Sequence, residues 1–230
     1  MIQMKKMVVF LLVAAVGISL VLSSCGGKGK KETNSEDDNK IVGGWTVPDS
    51  PVVSKEVQAV LEKATAELTG GTYAPVAYLG SQVVAGTNYR ILCKFTPATP
   101  DAEANYAIVT VYEDLEGKAE ITEILNSEAK VPETDVMIDG GWIAPETPEL
   151  TTEAVNALKA SSEAVVGAAY APVVLLGTQV VAGMNYCMLC EITPVTENAE
   201  SHYAVVVVYE GVDGNTSVIE TYDFTADAAE

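Results

Sequence analysis

The chain contains two copies of one long unit, and this internal duplication constrains its fold more than any other feature. The tripeptide Gly-Gly-Trp at residues 43–45 recurs at residues 140–142, and the pentapeptide Gln-Val-Val-Ala-Gly at residues 82–86 recurs at residues 179–183. At this offset of 97 residues, 36 of 83 aligned positions are identical. The unit is longer than the roughly 20–50 residues of a solenoid repeat, so each copy is expected to be a small domain.

The repeat boundaries divide the rest of the chain. We expect domain 1 at residues 43–125 and domain 2 at residues 140–230, joined by a linker at residues 126–139. The linker contains Pro132 and mixed charge, a composition typical of a connection between domains.

The N-terminus has the pattern of an export signal. Lys5 and Lys6 precede an apolar run, and the sequence Leu-Ser-Ser-Cys ending at Cys25 resembles a bacterial lipobox. We expect a signal peptide at residues 1–24, lipidation of Cys25, and a polar tether at residues 25–42. An ordinary secretory signal with a chance cysteine is the alternative. The protein is thus expected to be an exported, membrane-anchored lipoprotein, at the cell surface or on the periplasmic face.

Composition excludes several classes of function. The chain carries 32 acidic and 13 basic residues, a net charge of −19, which would repel nucleic acid. His202 is the sole histidine, and no nucleophile is paired with a base along the sequence. No Cys or His cluster has metal-ligand spacing. We therefore expect a protein that is not an enzyme and that binds no cofactor, metal or nucleic acid.

Hydrophobic periodicity indicates one helix followed by strands in each unit. The apolar stripe of the first helix recurs every three or four residues and comprises Val57, Val60, Leu61, Ala64 and Leu68. Four strand-like runs follow, and in the second of them Arg90 and Lys94 alternate with apolar residues. We therefore expect an α+β fold in which each unit packs one helix on one face of an antiparallel meander, while the other face is wet.

The segment Ser-Gln-Val-Val-Ala-Gly-Thr-Asn-Tyr at residues 81–89, preceded by a helix and by an upstream double glycine, resembles the cystatin family of cysteine-protease inhibitors, in particular its disulfide-free stefin branch. Thr-Gln-Val-Val-Ala-Gly-Met-Asn-Tyr at residues 178–186 is its counterpart, and the segment at residues 146–149 is also stefin-like. The resemblance covers both units nearly end to end. It implies two tandem cystatin-like domains that reversibly block papain-like cysteine proteases.

In that family a glycine trunk, a first hairpin loop and a second hairpin form a wedge that enters the protease cleft without a covalent bond. The resemblance therefore implies two trunks and two first loops as protease-binding segments. The trunk residues are Gly43, Gly44, Gly140 and Gly141. The loop residues are Gln82, Val83, Val84, Ala85 and Gly86 in the first unit, and Gln179, Val180, Val181, Ala182 and Gly183 in the second.

The chemistry of these segments suits such a role, although two alternatives stay open. A hairpin tip normally exposes polar turn residues, whereas this one offers two valines and an alanine, and glycine allows close backbone approach to a partner. The first alternative is a hairpin buried on its own sheet, and the second is that the double glycines are plain linkers.

The second hairpin departs from the family pattern. The family has Pro-Trp or Leu-Pro there, whereas this chain has Leu115-Glu116 and Val212-Asp213. A carboxylate in a cleft adds a desolvation cost, which lowers the expected affinity. The rival function is therefore a surface binding or adhesion module with the same fold and no inhibitory activity.

The tryptophans and cysteines have roles that the sequence indicates in part. Trp45 and Trp142 either anchor on a protease or cap their own sheets. Cys93 and Cys190 are expected to be inert core thiols, while Cys187 is expected on the wet face as a free, reactive thiol.

Overall fold

The computed structural model describes residues 43–132, 140–163, 165–196 and 198–226, which belong to one compact unit. The signal peptide, Cys25 and the tether lie outside the described residues. Within the described ranges, none of the helices has the length and apolar character needed to cross a membrane.

Each repeat begins with a short strand and a helix and continues with long antiparallel strands. The elements of the first repeat are β1 (Trp45–Thr46), α1 (Lys55–Thr65), β2 (Gly71–Val84), β3 (Gly86–Pro97), β4 (Asn105–Glu113) and β5 (Ala119–Lys130). Those of the second are β6 (Trp142–Ile143), α2 (Thr152–Ser162), β7 (Ala168–Val181), β8 (Gly183–Pro194), β9 (His202–Gly211), β10 (Thr216–Asp223) and β11 (Thr225–Ala226).

The strands form two curled antiparallel sheets. Sheet 1 has the order β1-β2-β3-β4-β5-β11, and sheet 2 has the order β10-β9-β8-β7-β6. The last strand therefore leaves its own repeat, because Thr225 and Ala226 pair with Asn126 and Leu125 of β5. The first five residues of the expected linker, 126–130, belong to β5, and residues 133–139 lie outside the described ranges.

The helices cover the outer faces of the sheets. Ser54 caps α1 by accepting a hydrogen bond from the Val57 N–H at 3.3 Å. Val57, Val60 and Leu61 are buried against β3 and β4. The helix ends at Thr65, so Leu68 lies beyond it and is 43% exposed.

The inner faces of the two sheets pack on each other and form one shared core. Its central members come in pairs that occupy equivalent positions of the two repeats: Ala77 and Val174, Leu79 and Leu176, Leu92 and Leu189, and Ile108 and Val205. All eight are buried. Equivalent faces of the two repeats therefore share one core, as in a two-fold interface, here between two parts of a single chain.

The expected α+β class, with two tandem helix-on-sheet, cystatin-like domains, is therefore wrong. The described chain is mostly β, with two curled sheets, and the helices are two segments of 11 residues each. The expectation of a wet sheet face is also wrong, since that face carries the shared core. The expectation that this sheet face is exposed to solvent rested on Arg90 and Lys94 alone. The continuous apolar runs of β4 and β9, which indicate burial on both faces, were the better signal.

The expectation of a reactive thiol at Cys187 on a wet face is also wrong. Cys187 is only 4% exposed and belongs to the shared core, because the face it occupies packs against sheet 1. Burial raises its pKa to about 12, so the thiolate does not form near neutral pH. Cys93 and Cys190 are buried as expected, and burial raises the pKa of each to about 12.

Candidate functional site

The β2–β3 hairpin ends in an exposed apolar tip. Val83 and Val84 are 45% and 46% exposed, and Ala85 at the turn is also exposed. Val84 pairs with Gly86, so the strands remain hydrogen-bonded up to the turn itself. A tip of this kind is rigid, because sheet pairing fixes the backbone on both sides of the turn.

The turn is closed by two features of its surroundings. Gly86 has a φ of +132°, and a Cβ there would lie 2.8 Å from the Tyr112 ring, so a larger residue would be strained and crowded. Tyr112 Oη donates a 2.6 Å hydrogen bond to the Ala85 carbonyl. Gly86 itself is buried, so its role is to shape the turn rather than to touch a partner.

The double glycine lies beside this tip. β1 pairs antiparallel with β2, with Trp45 opposite Gln82, which places the preceding Gly43 and Gly44 alongside the last residues of β2. Gln82 Nε2 donates a 2.7 Å hydrogen bond to the Gly43 carbonyl, and its Oε1 accepts one of 2.9 Å from Asn88 Nδ2. The glutamine thus joins the glycine segment to both strands of the hairpin.

The β4–β5 hairpin lies at the same end of the sheet, because Gly86 and Glu113 are at adjacent ends of β3 and β4. Leu115 at its turn is 87% exposed. Asp114 Oδ1 accepts the N–H groups of Glu116 and Lys118, both at 2.9 Å, and holds the turn. We call the three segments Gly43–Gly44, Val83–Ala85 and Leu115–Glu116 the first wedge.

The first wedge is also braced from the helix. Lys63 Nζ of α1 lies 3.1 Å from Glu113 Oε1 and donates to the Gly117 carbonyl at 3.3 Å. Tyr89 Oη donates to the other Glu113 carboxylate oxygen at 3.4 Å. The pKa of Tyr89 is raised, first by burial and then by the Glu113 charge, so the phenol stays a hydrogen-bond donor.

The second repeat reproduces this arrangement. Val180 and Val181 are 57% and 41% exposed, and Tyr209 Oη donates to the Ala182 carbonyl at 2.7 Å. Gln179 Nε2 donates to the Gly140 carbonyl at 2.7 Å. The three segments Gly140–Gly141, Val180–Ala182 and Val212–Asp213 form the second wedge.

The two wedges differ in the support of their second hairpins. Position 160, equivalent to Lys63, is alanine, so the helix-to-turn contact of the first wedge has no counterpart through that residue. The turn is held within itself, since Asp213 Oδ1 accepts the Asn215 N–H at 3.1 Å. Val212 at this turn is 90% exposed.

The tryptophans cover their own sheets. Trp45 lies under the Arg90 guanidinium, whose Cζ is 4.0 Å from the ring centroid, and the ring edge packs against Gly80. Trp142 packs on the equivalent Gly177 and on the shared core. Of the two roles left open by the sequence, capping the sheet is the one the contacts show.

The structure brings each expected trunk, first loop and second hairpin together at one end of a sheet. Within these sets, Gln82, Gln179 and Gly86 turn inward as supports, and the valines and alanines face outward. Tyr112 and Tyr209, the hydroxyl donors that close both turns, were not among the site residues expected from the sequence. Their identity at equivalent repeat positions, each just before the second hairpin, was the available signal.

The tips offer a contact surface made of aliphatic side chains and glycine backbone. In the described residues, no group of three His, Cys, Asp or Glu side chains could hold a metal ion. His202 Nε2 lies 3.3 Å from Asp223 Oδ1.

No protein-family model matches the chain, and a search of curated proteins finds no significant match either.

Proposed function

We propose that the protein is a reversible, non-covalent inhibitor of papain-like cysteine proteases, which blocks the protease cleft with a wedge. The supporting observation is the juxtaposition, at one end of a sheet, of an exposed valine pair, a double glycine and a second exposed apolar turn. The resemblance of residues 81–89 to the cystatin loop gives this surface its partner class.

An exposed apolar tip is unfavourable in water and gains free energy when a partner buries it. Fully burying one valine side chain stabilises a complex by about 1.5–3 kcal/mol. Val83 and Val84 leave about half of this surface exposed, so their burial in a cleft provides part of that free energy. Because strand pairing and the Tyr112 bond already order the tip, binding loses little conformational entropy.

The glycine segment adds close approach to the partner. Gly43 has a φ of +91° and open space where a Cβ would lie, so its backbone is accessible from outside the protein. A protease cleft that receives this segment meets main chain rather than a side chain. The wedge needs no attack by the catalytic thiol.

One observation favours the rival binding module without inhibitory activity. Glu116 and Asp213 stand in the second hairpins, where a carboxylate entering a cleft would be desolvated. This cost weakens inhibition, and a protease assay separates the two functions directly.

The test compares papain inhibition by variants of the chain from residue 26 onward. Replacing Val83, Val84, Val180 and Val181 together by Asp places charges in both proposed contacts and should raise the inhibition constant at least about 100-fold, or roughly 2.8 kcal/mol. Ile219→Asp is the matched control, because Ile219 is 48% exposed on β10, outside both wedges. Equal inhibition by all three proteins, with folding intact by circular dichroism, would refute the wedge.

We also propose that the protein is exported and anchored to a membrane through lipid on Cys25. The support is the lipobox-like sequence and the charged, glycine-rich segment that separates it from Gly43. The net charge of −19 would oppose adsorption to an anionic membrane, so the lipid would supply the attachment.

A further inference from the structure

The two wedges lie at opposite ends of the packed sheets. Arg90, four residues from the turn glycine of β3, has its guanidinium carbon 5.8 Å from the ring centroid of Tyr203. Tyr203 is at the start of β9, the end remote from the second wedge. The half of β3 nearer the first wedge therefore lies close to the end of sheet 2 that is remote from the second wedge.

The second wedge likewise lies near the end of sheet 1 that is remote from the first wedge. Gly141 and Trp142, which belong to the second wedge and its flanking strand, line a cavity together with Lys94 and Thr96. Lys94 and Thr96 lie near the end of β3 that is remote from the first wedge. Equivalent faces that pack with the strand direction reversed correspond to an approximate two-fold axis across the strands.

Long strands lie between the two ends that carry the wedges. β2 and β7 each span 14 residues, which at about 3.3 Å per residue gives a strand length on the order of 45 Å. A globular partner of ~200 residues has a radius of gyration of roughly 16 Å. Two such partners, one bound at each wedge, would lie beyond opposite ends of the strands.

We infer that one chain binds two protease molecules at once and holds them apart as a rigid bridge. This inference rests on the proposed function. It follows from the shared core, because two domains on a flexible linker would have no fixed separation, whereas sheets packed through Leu92 and Leu189 do. Both tips have the same apolar residues and the same tyrosine hydrogen bond, so both present the contact surface proposed for a protease.

The test is a capture assay with papain whose catalytic cysteine is capped by methylthiolation, which prevents digestion. Immobilised papain captures the chain from residue 26 onward, and free capped papain is then added. We expect a second papain to bind at about one equivalent. The variants Val83→Asp with Val84→Asp, and Val180→Asp with Val181→Asp, should each still be captured and should each bind no second papain.

The outcomes separate the inference from the proposed function. If the wild-type chain is captured but binds no second papain, the bridge is refuted while the inhibitor proposal stands. In that case, capture of both variants indicates mutual exclusion, and loss of capture by one variant shows that only one wedge binds. If the wild-type chain is not captured at all, the proposed function fails and the bridge fails with it. Ile219→Asp should behave as wild type.

Discussion

Replacing Leu92 by alanine should destabilise both sheets together. Leu92 lies on β3 of the first repeat, is fully buried, and packs in the core shared with the second repeat. Removing a buried leucine side chain costs about 2–5 kcal/mol, from the lost transfer free energy and the cavity left behind. Because a domain is stable by only about 5–15 kcal/mol, this loss is measurable.

The two tryptophans provide a separate reporter for each repeat. Trp45 lies on sheet 1 and Trp142 on sheet 2, and the chain has no others, so Trp45→Phe and Trp142→Phe each leave one signal. With a urea slope of about 1–3 kcal/mol/M, Leu92→Ala should lower the unfolding midpoint by on the order of 1–2 M. We expect the same shift in both single-tryptophan backgrounds.

Unequal shifts of the two tryptophan transitions would refute the coupling of the sheets. If Leu92→Ala shifts the Trp45 transition and leaves the Trp142 transition unchanged, the repeats unfold independently and the shared core does not couple them. Val47→Ala serves as the control, because Val47 is 75% exposed and its truncation should change the unfolding free energy by less than about 0.5 kcal/mol.

The wedges, the cysteines and the N-terminus can each be tested separately. Tyr112→Phe removes the 2.6 Å bond to the Ala85 carbonyl and should weaken papain binding about 3- to 10-fold with little change in Tm; unchanged affinity would show that the bond does not order the tip. Cys187 should resist thiol reagents in the native state, and rapid native labelling would contradict its burial. Burial raises the pKa of Cys93, Cys187 and Cys190 from 9.0 to about 12, so these thiols ionise first in the unfolded chain and stability should fall as pH rises above about 9; stability independent of pH between 9 and 11 would contradict their burial. Cys25→Ala should remove lipid labelling and release the protein from the membrane fraction, and unchanged fractionation would refute the anchor.

Local structure could be read from the sequence with good accuracy. The Ser54 cap and the buried stripe of Val57, Val60 and Leu61 follow from spacing that any helix of this kind shares. The hairpin turn at Gly86 follows from glycine between two β-branched runs. Each of these features is decided within about ten residues of chain.

The packing of the two sheets could not be obtained in the same way. It brings together residues far apart in the sequence, such as Leu92 and its equivalent Leu189, which belong to one buried cluster. A single strand does not reveal what covers its second face. Arg90 indicated exposure, yet its guanidinium stacks on Trp45 near Tyr203, so a charged side chain lies at the edge of a buried face. The misplaced Cys187 has the same cause.

The position of the wedges could be predicted from the sequence only in part. Repetition of the Gly-Gly and Gln-Val-Val-Ala-Gly segments identified them as special, and the Gln82 bond to Gly43 gives the physical link between the two. Their placement at opposite ends required the two-fold packing, which no motif encodes.

Cleft blocking is tested most directly by steady-state inhibition of active papain by the chain from residue 26 onward, at several substrate concentrations. The mass of the recovered protein is determined afterwards. We expect competitive, reversible inhibition and an uncut chain, because the wedge offers aliphatic side chains and glycine backbone and no group for the thiol to attack. Absence of inhibition at micromolar concentration, or recovery of a chain cleaved near Gly43 or Val84, would contradict the cleft-blocking mechanism.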